Sequence, residues 1–543
     1  MSARSALFIA AIALSAFSYA EEDADPAQVA IGERLFLETR FAQFFFAHCD
    51  GNVNTVLAKG DPVVENAQTT GSPMPGAFKG QSMNCRACHL VDEYATLADG
   101  GIRTYVDFAR RSPIPDRGDG RTTTARNSPT LVSLIKPSNA LFFHFDGEFI
   151  TLPDLVEATL TGRNYGWLPG ERKAAIKHIA RVIRGDDGSG ALAQGAGGAY
   201  SKVLTGTDDD IPDELRITEI MRVDVASATD GEILEAVKNL ITAYVNSLKF
   251  SQDANGVFNG SPYDAFLRKN SLPAAPRNGE DDIAYARRLR DEIAKLSAPK
   301  FVDEADGKLL LHKQTFTFGA LELKGLRIFL AEATGPSLLP QNSTGNCMAC
   351  HAPPHFADFK FHNTGATQDE YDGIHGAEAF AKLDIPNLKA RQANPNEFQH
   401  ATARHPNATG RFQGVPSAAQ PGVTDLGLWN VFANADNPKP QKRLLKMLKE
   451  QAGGRLSKSD ALDRAIALFK TPGLRDLGQS PPYMHTGQFD SLEDVIRFYN
   501  KSSVLSRLGR IRNPAPELNG IGITDDDVAP LAAFLRSLNE DYQ

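Results

Sequence analysis

Apolar residues along this chain recur mostly at helical intervals, and long polar stretches separate the runs. Ala27, Ile31 and Leu35 fall at i, i+4, i+8 and predict a helix over about 27–38, weakened by Gly32 inside it. Helices are expected over about 152–160 and 171–184. A stronger one is expected over about 231–248, where Asp230 stands as the cap and Ile233, Val237, Leu240, Ile241 and Tyr244 share a side. The pattern returns near 279–297, 321–331, 440–450, 458–469 and 491–500. A last helix over 525–538 has Thr524 at its cap and Val528, Leu531, Phe534, Leu535 and Leu538 as its apolar face. Between these runs the chain turns to Gly, Pro, Thr and Asn: a long loop over 51–80, an exposed Gly-rich excursion over 188–198, and a helix-poor stretch over 356–436. Strand alternation is scarcely found. The fold class is therefore mainly α, with long loops and insertions.

Composition narrows the function classes. A length of 543 residues suggests several domains, and 42% hydrophobic residues permit a sizeable core. The formal charge of -8 and the lack of any Lys/Arg run speak against nucleic acid. The first twenty residues read as an export signal: Arg4, an apolar run from Ala6 to Ala16, and Ser18-Tyr19-Ala20 as the cleavage site. Nothing later reaches the apolar length of a membrane span. The expected address is the periplasm.

Asn84-Cys85-Arg86-Ala87-Cys88-His89 returns as Asn346-Cys347-Met348-Ala349-Cys350-His351. Each copy holds C-x-x-C-H, the attachment pattern of a c-type haem. Two thiols three positions apart can form two thioethers to one haem, and the adjacent imidazole then lies over the iron. A thioredoxin-like pair does not need the trailing His, and a zinc ribbon brings its second pair within about twenty residues. Two covalently bound haem c groups are expected. Four of the five Cys are thereby used, and Cys49 is expected as a buried thiol. The domain reading is 1–20 signal peptide, 21–255 a first helical haem domain, and 256–543 a second, with 256–315 as connection and insertion.

Further segments carry a resemblance. Gly32-Glu33-Arg34-Leu35-Phe36, Ala125-Arg126-Asn127-Ser128-Pro129-Thr130, Phe145-Asp146-Gly147, Lys470-Thr471-Pro472-Gly473-Leu474-Arg475 and Pro482-Tyr483-Met484-His485-Thr486-Gly487 are similar to motifs of the bacterial diheme cytochrome c peroxidase family, which includes MauG. With the two haem motifs they run in the family's order. The resemblance implies two cytochrome-c-like domains. Peroxide would be activated at the His89 haem, and oxidising equivalents would be shared with a second, six-coordinate haem on His351. It implies Tyr499 as that haem's second ligand, with Met484 as the rival. It also implies an acid–base carboxylate, for which Glu171 comes first and Glu157 second, with Arg163 as a stabilising cation. Phe145 stands where the family has a Trp between the haems, so Trp167 is the replacement. One Ca²⁺ is implied at Asn127, Ser480 and Pro482. The implied partners are hydrogen peroxide and either a small redox protein or a protein substrate oxidised in the MauG manner. Ordinary peroxide detoxification, a diheme oxygenase of the rubber-cleaving type and a plain electron-transfer cytochrome are the alternatives.

Overall fold

The structure is a computed structural model that describes residues 26–65, 68–69, 72–73, 82–89, 95–96, 102–103, 111–133, 142–309, 314–333, 343–477 and 481–541. The expected export signal and Ser480 lie outside the described residues. The chain is mainly helical, and its strands are two-residue pairs such as Phe361–His362 against Phe469–Lys470. Among the described residues no helix is long and apolar enough to cross a membrane.

The apolar side chains gather into three cores. In the first, the Ala27–Phe36 helix crosses the Asp230–Ser247 helix, burying Ile31, Leu35 and Phe36 against Val237, Leu240 and Ile241. Gly32 is the crossing point: a Cβ there would stand 2.1 Å from the Leu240 carbonyl oxygen. The residue that weakens the helix locally is the one that lets the two backbones touch. The second core repeats the device. The Ala320–Leu330 helix crosses the Asp525–Arg536 helix, and a Cβ at Gly325 would stand 1.9 Å from the Pro530 carbonyl oxygen. Gly32-Glu33-Arg34-Leu35-Phe36 thus has a counterpart in Gly325-Leu326-Arg327-Ile328-Phe329, an internal repeat legible in the sequence. Each C-x-x-C-H motif follows the first helix of its crossing pair.

Several boundaries shift. The cap of the Asp230–Ser247 helix is Thr229, whose hydroxyl accepts from the Glu232 amide while the Glu232 carboxylate accepts from the Thr229 amide. Asp230 instead pairs with Arg184 at 2.6 Å. The Leu492–Arg507 helix runs beyond 500, and the Lys458–Arg464 helix stops early because Phe469 enters a strand pair. Residues 256–315 supply Tyr263, Phe266, Tyr285 and Leu289 to the second core, with Phe266 stacked 4.2 Å from Phe318. A third core comes from residues 361–469 together with Phe142, around Phe412, Leu428 and Trp429. Its Ala366–His375 helix went unread because it buries Thr367 and Gln368 beside Ala366 and Tyr371, giving no apolar stripe.

Arg126 and Asn127 join the three cores. Arg126 pairs with Asp146 at 2.6 Å and with Asp425 of the third core at 2.5 Å. The Asn127 amide donates to the His485 carbonyl at 2.7 Å and its Nδ2 to the Pro482 carbonyl at 2.6 Å, on the C-terminal side.

Candidate active site

Both C-x-x-C-H motifs fold into a short 3₁₀ turn, Cys85–Ala87 and Cys347–Ala349. Asn84 accepts from the Ala87 amide and donates to the Leu37 carbonyl at 2.8 Å, tying the first turn to the end of its helix. Asn346 adopts the left-handed region, φ 49°, and donates to the Glu517 carbonyl. The trailing imidazoles share one arrangement. His89 Nδ1 lies 3.0 Å from the Pro129 carbonyl and His351 Nδ1 lies 2.8 Å from the Phe356 carbonyl. A carbonyl partner fixes the proton on Nδ1 and leaves Nε2 as the lone-pair donor, the tautomer an iron ligand requires. Burial pushes His89 down to about 4 against the pull of the Pro129 carbonyl, and burial also lowers His351. Both rings are neutral at pH 7, so the residues fit a haem at each motif.

A cavity of about 1360 Å³ opens at the first motif, lined by Cys85, Cys88 and His89. That exceeds the roughly 300–1,000 Å³ of ordinary small-molecule pockets. The Tyr165 hydroxyl stands 3.1 Å from Cys85 Sγ at its wall.

Tyr499 lies on the Leu492–Arg507 helix and packs against the second core together with Cys347. Burial raises its phenol, and the Cys350 and Cys347 thiols are the charges near enough to add to that. Its hydroxyl has no hydrogen-bond partner among the described residues, so the oxygen is available to another group. Met484, the rival, sits at φ 70° in the turn, where its carbonyl accepts from Gly487 and from Asn127 Nδ2.

The structure sorts the remaining expected residues. Glu171 does not line the cavity. It caps a helix start through the Leu168 amide at 2.8 Å and pairs with Arg117 at 2.8 Å. Burial alone would raise its carboxyl, but the Arg117 hydrogen bond outweighs that and lowers it. Glu157 does line the cavity, from the Leu152–Leu160 helix, and pairs with Lys238 at 2.9 Å and with Arg172. These bonds likewise lower its carboxyl against the effect of burial. Arg163 is also on the wall, but its guanidinium is already held by Asp119 at 2.7 Å and by the carbonyls of Pro115 and Arg121. Trp167 is buried on the same wall, donates to the Phe41 carbonyl at 3.2 Å and packs on Phe46 and His178. Those partners all belong to the first half, so the indole does not take the position between the halves expected of a replacement for the Phe145 site. Cys49 is buried, as expected, with Arg181 Nη2 at 3.6 Å.

Asn127 and Pro482 do meet, and the Met484 carbonyl joins them at 3.4 Å. Asn127 Oδ1 is buried without a hydrogen-bond partner. Beside His144 on the cavity wall stand Glu148 and His400, two residues with no role in the sequence reading. The signal for Glu148 was the alternation of His144, Asp146 and Glu148 within one short turn.

No family model matches the chain. It is 26% identical over 195 residues to cytochrome-c peroxidase IdrP2 of Denitromonas iodatirespirans, a match spanning 36% of each chain. It is 32% identical over 74 residues to cytochrome-c peroxidase IdrP1 of the same organism, 14% of this chain and 18% of that one. These matches span about a third of those relatives or less. Among solved structures, the diheme peroxidase BthA from Burkholderia thailandensis aligns over 95% of this chain and 87% of its own, with 17% identity and a TM-score of 0.42. A MauG-like protein associated with microbial copper homeostasis aligns over 96% and 91%, with 14% identity and a TM-score of 0.41. Over the segments matched to the two peroxidases of Denitromonas iodatirespirans, the chain is similar to bacterial cytochrome-c peroxidases.

Proposed function

We propose that the protein is an exported diheme c-type peroxidase. The observation that carries this is the paired arrangement of His89 and His351, each with Nδ1 on a backbone carbonyl and each following two thiols. Cys85, Cys88 and His89 would hold one haem, and Cys347, Cys350, His351 and Tyr499 the other. Haem iron supplies peroxide activation at the first motif and electron transfer at the second. The chain's own part is proton handling and access. The cavity admits hydrogen peroxide to the His89 side. Glu157, kept ionised by Lys238 and Arg172, takes the peroxide proton at its carboxylate and returns it to the leaving oxygen. Asn127 Oδ1, with the carbonyls of Pro482 and Met484 beside its amide, offers oxygen ligands suited to Ca²⁺.

A phenol ligand favours oxidation of a protein partner over turnover with a small cytochrome. A phenolate is hard and anionic, so it lowers the potential of the iron it binds, where a thioether raises it. The half-buried Tyr499, packed against the second core with Cys347, supports that second reading.

The test combines composition and kinetics. Colour should stay with the protein after acid–acetone extraction, at two haems per chain. Glu157→Gln should lower peroxide turnover about 10²–10⁴-fold, while Glu171→Gln changes it little. Fewer than two retained haems, or the reverse order of the two variants, overturns the proposal.

A further inference from the structure

The turn between Phe143 and Phe149 places three ligand-type side chains together. One ligand atom each from His144, Asp146 and Glu148 lies within 4.8 Å of the others. His144 Nδ1 is 3.3 Å from Glu148 Oε2, and His400, from the third-core segment, brings Nε2 to 3.8 Å from Glu148 Oε1. The second distance is too long for a hydrogen bond. The His144–Glu148 spacing suits two ligands of one ion, since bonds of about 2.0–2.2 Å put neighbouring donor atoms about 3–4 Å apart, and His400 stands beside the other Glu148 oxygen. His144 holds the left-handed backbone, φ 60°, that aims it at Glu148.

Charge argues the same way. Asp146 and Asp425 are buried and Glu148 is half-buried, and Arg126 is the one Lys or Arg in ion-pair contact with any of the three among the described residues. Three carboxylates against one guanidinium leave room for a dication.

We propose that His144, Asp146 and Glu148, with His400 beside Glu148, bind one divalent first-row transition-metal ion on the wall of the large cavity. Two imidazoles and a carboxylate select this class over Ca²⁺ or Mg²⁺, which prefer all-oxygen shells. The ion joins the turn at 142–149 to the loop carrying His400, so it closes one side of the cavity. The site shares its cavity with Cys85, Cys88 and His89, but none of its ligands belongs to a C-x-x-C-H motif, so haem content is read separately in the test.

The test uses the holoprotein with Ca²⁺ kept saturating, so that an oxygen site is already filled. Zn²⁺ titrated calorimetrically should bind at one equivalent. Glu148→Gln and His400→Gln should each weaken it by tenfold or more at unchanged haem content and melting temperature. Mn²⁺ bound at the same site should show coupling to imidazole nitrogen in pulsed EPR, lost progressively in His144→Gln and His400→Gln. No saturable Zn²⁺ binding, binding that survives both substitutions, or a Mn²⁺ spectrum without nitrogen coupling overturns the proposal.

Discussion

Glu540 shows how a single buried carboxyl sets a pH response. It accepts from the Ser251 amide at 2.6 Å and stands 3.4 Å from Arg475, whose guanidinium is already engaged by both Asp264 oxygens at 2.9 Å. Burial raises Glu540 to about 8, because Arg475 only partly offsets the lost water. Below the ordinary value of 4.5 both folded and unfolded chains hold the proton. Between 4.5 and about 8 only the folded chain keeps it. Stability therefore falls as pH rises through that window, by up to about 1.4 kcal/mol per unit. Glu540→Gln should remove this loss, melting higher than the parent at pH 8.5 and nearly level with it at pH 4.5. A parallel shift at both pH values would contradict the assignment. Residues with a fixed local chemistry, such as the motif cysteines, are legible from sequence. Glu540 was not, because its neighbours Ser251, Asp264 and Arg475 are distant in the chain.

At the scale of elements, close helix crossings make the sharpest prediction. Gly325→Ala drives a methyl group against the Pro530 carbonyl, which is backbone and cannot rotate away. The expected cost is at least about 1–3 kcal/mol, read as a lower melting temperature with loss of haem from the second motif first. Gly373→Ala is the control. It lies in the Ala366–His375 helix with nothing within 4 Å of the added Cβ, so it should stabilise by about 0.4–1 kcal/mol. Equal effects at the two positions would remove the crossing argument. Helix periodicity found most of the long helices, because each buries one apolar side. It treated Gly32 as a local weakness, since periodicity sees one helix and never the partner it touches.

For the whole molecule, Arg126 is the junction between the cores. Replacing it with Ala leaves Asp146 and Asp425 buried without their cation, at a cost of about 3–5 kcal/mol. Arg126→Ala should separate the unfolding of the third core from that of the rest, giving two calorimetric transitions where the parent has a more cooperative one. A single transition of unchanged midpoint would show that the junction lies elsewhere.

The sequence by itself determined what depends on near neighbours. The doubled C-x-x-C-H pattern needs only five consecutive residues, and the helical class needs only a repeat of three to four. Tertiary structure decided the rest. Glu157 reaches the cavity while Glu171 is spent on Arg117. Residues 256–315 join the second core, and residues 361–469 form the third with Phe142, because burial depends on which surfaces meet. His400 approaches Glu148 across more than two hundred residues of chain. Contacts of that kind are set by packing of whole cores, and no window along the sequence contains both partners.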